Sequence, residues 1–163
     1  MKKATVLLAL GFVMFVLAPD VRAQYTTGIG IRYGLSKGAT FVQFINPQSR
    51  GAADILVNRI NNAWNLVALY EIHSKNHSEN IEVANVGFFL GGGLHVSWRN
   101  ALSNRLFYPG LSAIAGIEWK LPHVPLNLSL DCRPYIDLPF NKDQYGDQQT
   151  YDFDYALALK FLF

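Results

Sequence analysis

Residues 151–163 read YDFDYALALKFLF. Every second residue, from Tyr151 through Phe153, Tyr155, Leu157, Leu159 and Phe161 to Phe163, is aromatic or aliphatic. The residues between them, Asp152, Asp154, Ala156, Ala158 and Lys160, are charged or small until Leu162. Successive side chains of a strand point to opposite faces, so this period of two predicts a strand with one apolar and one polar face. At about 3.3 Å per residue and a tilt of roughly 40°, the run projects to about 30 Å, enough to cross the apolar core of a bilayer. A single strand in lipid would leave its backbone amides and carbonyls unpaired. The segment therefore demands a closed barrel whose other strands alternate in the same way.

At the other end of the chain, Lys2 and Lys3 precede an apolar run over residues 6–18, followed by Val21, Arg22 and Ala23. A positive start, a short apolar run and small residues at a cleavage site predict a signal peptide over 1–23, with the mature chain starting at Gln24. The apolar run is too short to be a retained spanning helix. Residues 24–163 have the length of one domain. Aromatic residues at 13% and charged residues at only 16% favour a sheet in contact with lipid over a solvated globule. A net charge of +2 gives no basis for a nucleic-acid partner. The single Cys132 excludes an intrachain disulfide.

Seven further runs meet the demand for alternation. The first, over 25–36, sets Thr27, Ile29, Ile31, Tyr33 and Leu35 against Gly28, Gly30, Arg32 and Gly34. A weaker run over 39–46 opposes Val42 and Phe44 to Gln43, and a third spans 53–60. The fourth, over 64–73, is mixed, because Val67 and Leu69 share a face with Asn65, Glu71 and His73. The fifth, over 85–99, sets Val86, Phe88, Leu90, Leu94, Val96 and Trp98 against Gly87, Gly91, Gly93, His95, Ser97 and Arg99. Residues 100–108 are expected to form a loop, and the sixth strand opposes Leu111, Ala113, Ala115, Ile117 and Trp119 to Ser112, Gly116, Glu118 and Lys120. In the seventh, Leu126, Leu128, Leu130 and Cys132 oppose Asn127, Ser129, Asp131 and Arg133, and Pro134 is expected to stop or bulge the ladder because it has no N–H to donate. Residues 74–82 and 141–150 are polar connections.

Eight alternating strands without an intervening helix predict an all-β fold, an antiparallel up-and-down barrel. Soluble and membrane barrels turn their apolar faces in opposite directions, and the size of the polar-side residues decides between them. That side is rich in Gly28, Gly30, Gly34, Gly91, Gly93, Gly116, Ala156, Ala158 and Ser129, which suit a crowded lumen rather than a solvated exterior. Its charges balance, with Arg32, Arg133 and Lys160 against Glu71, Glu118 and Asp131, as enclosure away from water requires. An ion pair of Arg32 with Asp154 or Asp131 is expected where the first and last strands close. Trp64, Trp98, Trp119, Tyr151 and Phe163 fall near strand ends, where membrane barrels carry aromatic girdles.

The aromatic strand ending in Phe163, with the segments LYEIH, FFLGGGLHVSW and PLNLSLDCRPYIDL, resembles the small eight-stranded bacterial outer-membrane barrels of the OmpX and OmpA-transmembrane-domain type. The resemblance covers the whole of 24–163 and implies an outer-membrane location. It also implies insertion by the outer-membrane assembly machinery through the terminal strand, and contact with the bilayer and its lipopolysaccharide. With both termini periplasmic, the connections at 100–108 and 141–150 fall outside the cell and the turn at 122–125 inside, while 74–82 becomes a long periplasmic connection.

A barrel of eight strands is just wide enough for side chains to fill, which disfavours a solute pore. The expected role is a membrane-embedded structural or surface-exposed binding scaffold, not an enzyme, with Arg105, Leu106, Phe107 and Tyr108 as the candidate surface loop. The alternative is a lipid-modifying hydrolase. His95, Ser97 and Glu118 supply a base, a nucleophile and an acid, and the His-x-Ser pairing is similar to that of the outer-membrane lipid A deacylases. In a polar lumen the same histidine and serine simply hydrogen-bond. Neither a cofactor nor a metal is called for, since His73, His95 and Glu71 do not form a ligand pattern.

Overall fold

The computed structural model describes residues 26–45, 50–60, 63–74, 85–101, 104–121, 124–138 and 150–163. The expected signal peptide at 1–23, the turn residues 46–49 and 122–123, and nearly all of the connections at 74–82 and 141–150 lie outside them. Eight strands run in chain order: β1 (Thr27–Gly34), β2 (Lys37–Phe44), β3 (Gly51–Ile60), β4 (Ala63–His73), β5 (Asn85–Ala101), β6 (Asn104–Lys120), β7 (Leu126–Asp137) and β8 (Thr150–Leu162). Each pairs antiparallel with the next, and β8 returns to β1, closing the barrel. The seam is held by Thr27 N–H donating to the Phe163 carbonyl at 3.1 Å, Phe163 N–H to that of Thr27 at 2.9 Å, and Leu35 N–H to that of Tyr155 at 3.0 Å.

The burial pattern inverts that of a soluble barrel. Arg133, Glu71 and Asp154 are 1%, 0% and 0% exposed inside, whereas Ile31, Tyr33 and Leu90 are 67%, 67% and 66% exposed outside. The outward row of β8 is Tyr151, Phe153, Tyr155, Leu157 and Leu159, the face that its alternation predicts. The mixed signal in β4 has a structural cause. Val67 and Leu69 do turn inward, where they pack with Leu56, Phe89 and Ile114 into an apolar cluster. Phe89 reaches the interior because the glycine opposite it leaves room: a Cβ on Gly116 would run into the Phe89 ring.

Two expectations are overturned. Residues 104–108 are strand, not loop: β5 and β6 form one long hairpin in which Asn100, Arg99, Trp98 and Ser97 face Arg105, Leu106, Phe107 and Tyr108. Pro109 does not break this ladder, because its carbonyl, and with it its nitrogen, points toward β7, where it accepts the Leu138 N–H at 2.8 Å. Pro134 likewise fails to end or bulge β7. The strand continues to Asp137 with Pro134 opposite Phe153, and the break falls only on the β6 side. There pairing lapses between Tyr135–Ser112 and Cys132–Ala115 and resumes in the same register.

Candidate functional site

The barrel's chemistry lies in its lumen, in three groups. Near the end opposite the termini, Asp154 is the hub. It accepts hydrogen bonds from the Ser36 amide at 3.1 Å, the Ser36 hydroxyl at 2.7 Å, Arg133 Nη2 at 3.0 Å and Asn58 Nδ2 at 3.4 Å. Arg32 forms its ion pair with Asp131, and Asp154 is 3.9 Å away. Of the two partners expected for Arg32, Asp131 is therefore the direct one, and Asp154 belongs mainly to Arg133. Lower down, Asp54 accepts from the Thr40 hydroxyl at 2.6 Å and lies 3.8 Å from Lys160 Nζ.

The second group fills the end nearer the termini. His73 sits with Nδ1 3.2 Å from Glu118 Oε1 and Nε2 3.2 Å from Glu71 Oε2, so that each ring nitrogen faces a carboxylate. Glu118 also accepts from Asn127 Nδ2 at 2.7 Å and has Lys120 Nζ at 3.8 Å. The His73 ring stacks on Phe89 at 5.3 Å and tilts against Phe44 at 5.1 Å. Lys160 and Lys120 lie over Phe89 and Phe44, each 5.5 Å from the ring centroid. Aromatic rings and paired charges thus occupy this part of the bore together.

The third group corrects the hydrolase set. His95 and Ser97 both face inward, but the Ser97 hydroxyl donates to Asn65 Oδ1. Glu118 faces Gly87 across the β5–β6 ladder while His95 faces Gly110, which puts the two levels eight residues and about 26 Å apart along the strand. The serine that does reach His95 is Ser112, at 2.9 Å from Nδ1, and the acid is Asp137, at 2.8 Å from Nε2. With Nε2–H donating to Asp137, Nδ1 accepts the Ser112 proton. Tyr135 meets the His95 ring edge-on at 5.3 Å. Gly110 is what allows this, since a Cβ there would run into the His95 ring. Sequence reasoning missed Ser112 and Asp137 because their meeting depends on the register between three strands. Among the described residues no group of His, Cys, Asp and Glu is arranged to hold a metal ion.

On the outer surface, Trp64, Tyr151 and Phe163 are exposed, and Trp98 and Trp119 are half-buried. Trp64, Trp98 and Tyr151 lie toward the end opposite the termini, Trp119 and Phe163 toward the termini. Phe107 is exposed and Tyr108 half-buried, both as strand residues. No family model, no curated protein and no solved structure matches the chain.

Proposed function

We propose that the protein is an integral outer-membrane barrel of the OmpX and OmpA-transmembrane-domain type, exported by its N-terminal segment. In this reading it is a membrane-embedded structural or binding scaffold rather than a solute pore or an enzyme. The observation that carries the reading is the inversion of polarity, with buried charges inside and an outward face of Ile, Leu, Phe and Tyr on every side. Water is a poor solvent for such a surface, and lipid a good one. The filled lumen supports the exclusion of a pore. The bilayer and lipopolysaccharide are then its lipid partners, and the strand ending at Phe163 its signal to the assembly machinery. Membrane fractionation with electrophoresis of boiled and unboiled samples tests the reading. The expected result is membrane-associated protein whose folded form migrates apart from its boiled form. Soluble protein without that shift would end it.

The Ser112–His95–Asp137 chain favours a second reading, a hydrolase. It has the nucleophile, base and acid in order, but Ser112 is buried and lies on the Nδ1 side of the ring. A serine-directed fluorophosphonate probe separates the two. The scaffold reading expects no labelling of the folded barrel, and labelling that disappears in Ser112→Ala would replace it with the hydrolase.

A further inference from the structure

Pro109 and Pro134, the prolines inside the described strands, lie on the two sides of one seam, that between β6 and β7. In an antiparallel ladder the amide and the carbonyl of one residue point to the same neighbouring strand. Pro109 accepts the Leu138 N–H at 2.8 Å, so its nitrogen also faces β7. The register of Ser112 with Tyr135 and of Ala115 with Cys132 puts Pro134 opposite Ala113, with its nitrogen facing β6. Each nitrogen stands where a ladder donor belongs and has no hydrogen to give. Backbone groups in hydrocarbon have no water to turn to, so a ladder facing lipid parts only at high cost, and least so where donors are already missing.

Side chains inside the bore make up for the loss at this same place. His95 stands on β5 opposite Gly110, and Gly110 stands opposite Asp137 on β7. With no side chain on Gly110 in its way, the imidazole lies across β6 and reaches Asp137 at 2.8 Å, while Ser112 of β6 meets its Nδ1 at 2.9 Å. One histidine thus ties three strands together over the gap in the ladder. Tyr135, beside it, is tied the other way, its hydroxyl donating to Asp152 of β8 at 3.0 Å. On the outer face Ala113 and Pro134 are exposed, and neither carries a long side chain to cover the gap.

We infer that the β6–β7 seam from Gly110–Asp137 to Ala115–Cys132 is a lateral gate in the barrel wall, the stretch at which the closed sheet opens toward lipid, with His95 as the clasp that holds it shut. Opening separates Asp137 from Ser112 and presents the His95 group to the bilayer, from which the closed wall hides it. The gate rests on the membrane reading proposed above.

Strand β6 carries its own control. The amides of Leu111 and Ala113 face β7, in step with Pro109, whereas those of Gly110, Ser112 and Ile114 face β5 at the same depth. The experiment is residue-resolved amide hydrogen exchange by NMR on the full chain refolded in detergent, each rate divided by that of the unstructured chain. Leu111 and Ala113 are expected to exchange about tenfold or more faster than Gly110, Ser112 and Ile114. Pro134→Ala, which restores a donor opposite Ala113, should bring the two sets together, and His95→Ala should drive them further apart. Equal exchange of the two sets in the wild-type protein would overturn the gate, a comparison that needs no variant to fold. A difference that Pro134→Ala leaves unchanged would overturn its assignment to the missing donor, and one that His95→Ala leaves unchanged would overturn the clasp. A chain that never enters vesicles fails the membrane reading, whereas one that inserts but exchanges both sets alike fails only this inference.

Discussion

Replacing Asp154 by asparagine will destabilise the folded barrel by about 3–5 kcal/mol, the usual cost of removing one partner from a buried ion pair. The carboxylate is fully buried and holds Arg133, the Ser36 turn and Asn58 at once, with Arg32 close by. Its loss leaves the Arg133 guanidinium enclosed without the counter-charge that faces it. Removing that charge as well, in Arg133→Met with Asp154→Asn, should recover part of the loss, because the desolvated cation is then gone. Urea unfolding in detergent of the two single variants and the double variant measures the coupling. Strictly additive effects would mean that Asp154 acts through Ser36 and not through the arginine. A parallel cycle on Arg32 and Asp131 is expected to show the same coupling, since that pair is also enclosed.

Phe89→Ala should cost about 3–5 kcal/mol, through lost burial and the cavity left in the bore. The ring meets three kinds of neighbour: it packs in the cluster with Leu56, Val67, Leu69 and Ile114, stacks on His73, and lies beneath Lys160. Its place depends on Gly116, so Gly116→Ala should itself destabilise, by about 1–3 kcal/mol, as the added methyl displaces the ring. Combining Gly116→Ala with Phe89→Leu should cost less than the sum of the two, because the smaller side chain makes room for the methyl. Unfolding midpoints of the four proteins decide it. Full additivity would mean that the ring and the glycine do not share one space.

The alternation of residues 151–163 was enough to predict a strand, its two faces and the closure of a barrel, because a strand's period of two is a local property and an unpaired edge in lipid is forbidden. The inward glycines and balanced charges pointed to a crowded interior for a similarly local reason, since residue size and sign are visible one position at a time. Prolines misled. Whether Pro109 or Pro134 breaks a ladder depends on which neighbour its nitrogen faces, and that is set by the pairing of strands, not by the residue. Reading 100–108 as a loop followed from the same blindness.

The partners inside the bore lay beyond the sequence altogether. Arg32 could be assigned to two acids, and the structure put Asp131 in contact with it and gave Asp154 chiefly to Arg133. His95 and Ser97 are adjacent on one face of a strand, yet the histidine turns to Ser112 and Asp137 and the serine to Asn65. The repeat along each strand determines which face a residue occupies, while contact across the bore depends on the stagger accumulated from strand to strand around the closed sheet. A two-residue change in one register would leave the repeat within every strand and its faces unaltered and exchange the lumen partners across that pairing, whereas a one-residue slip would turn the strand's faces over.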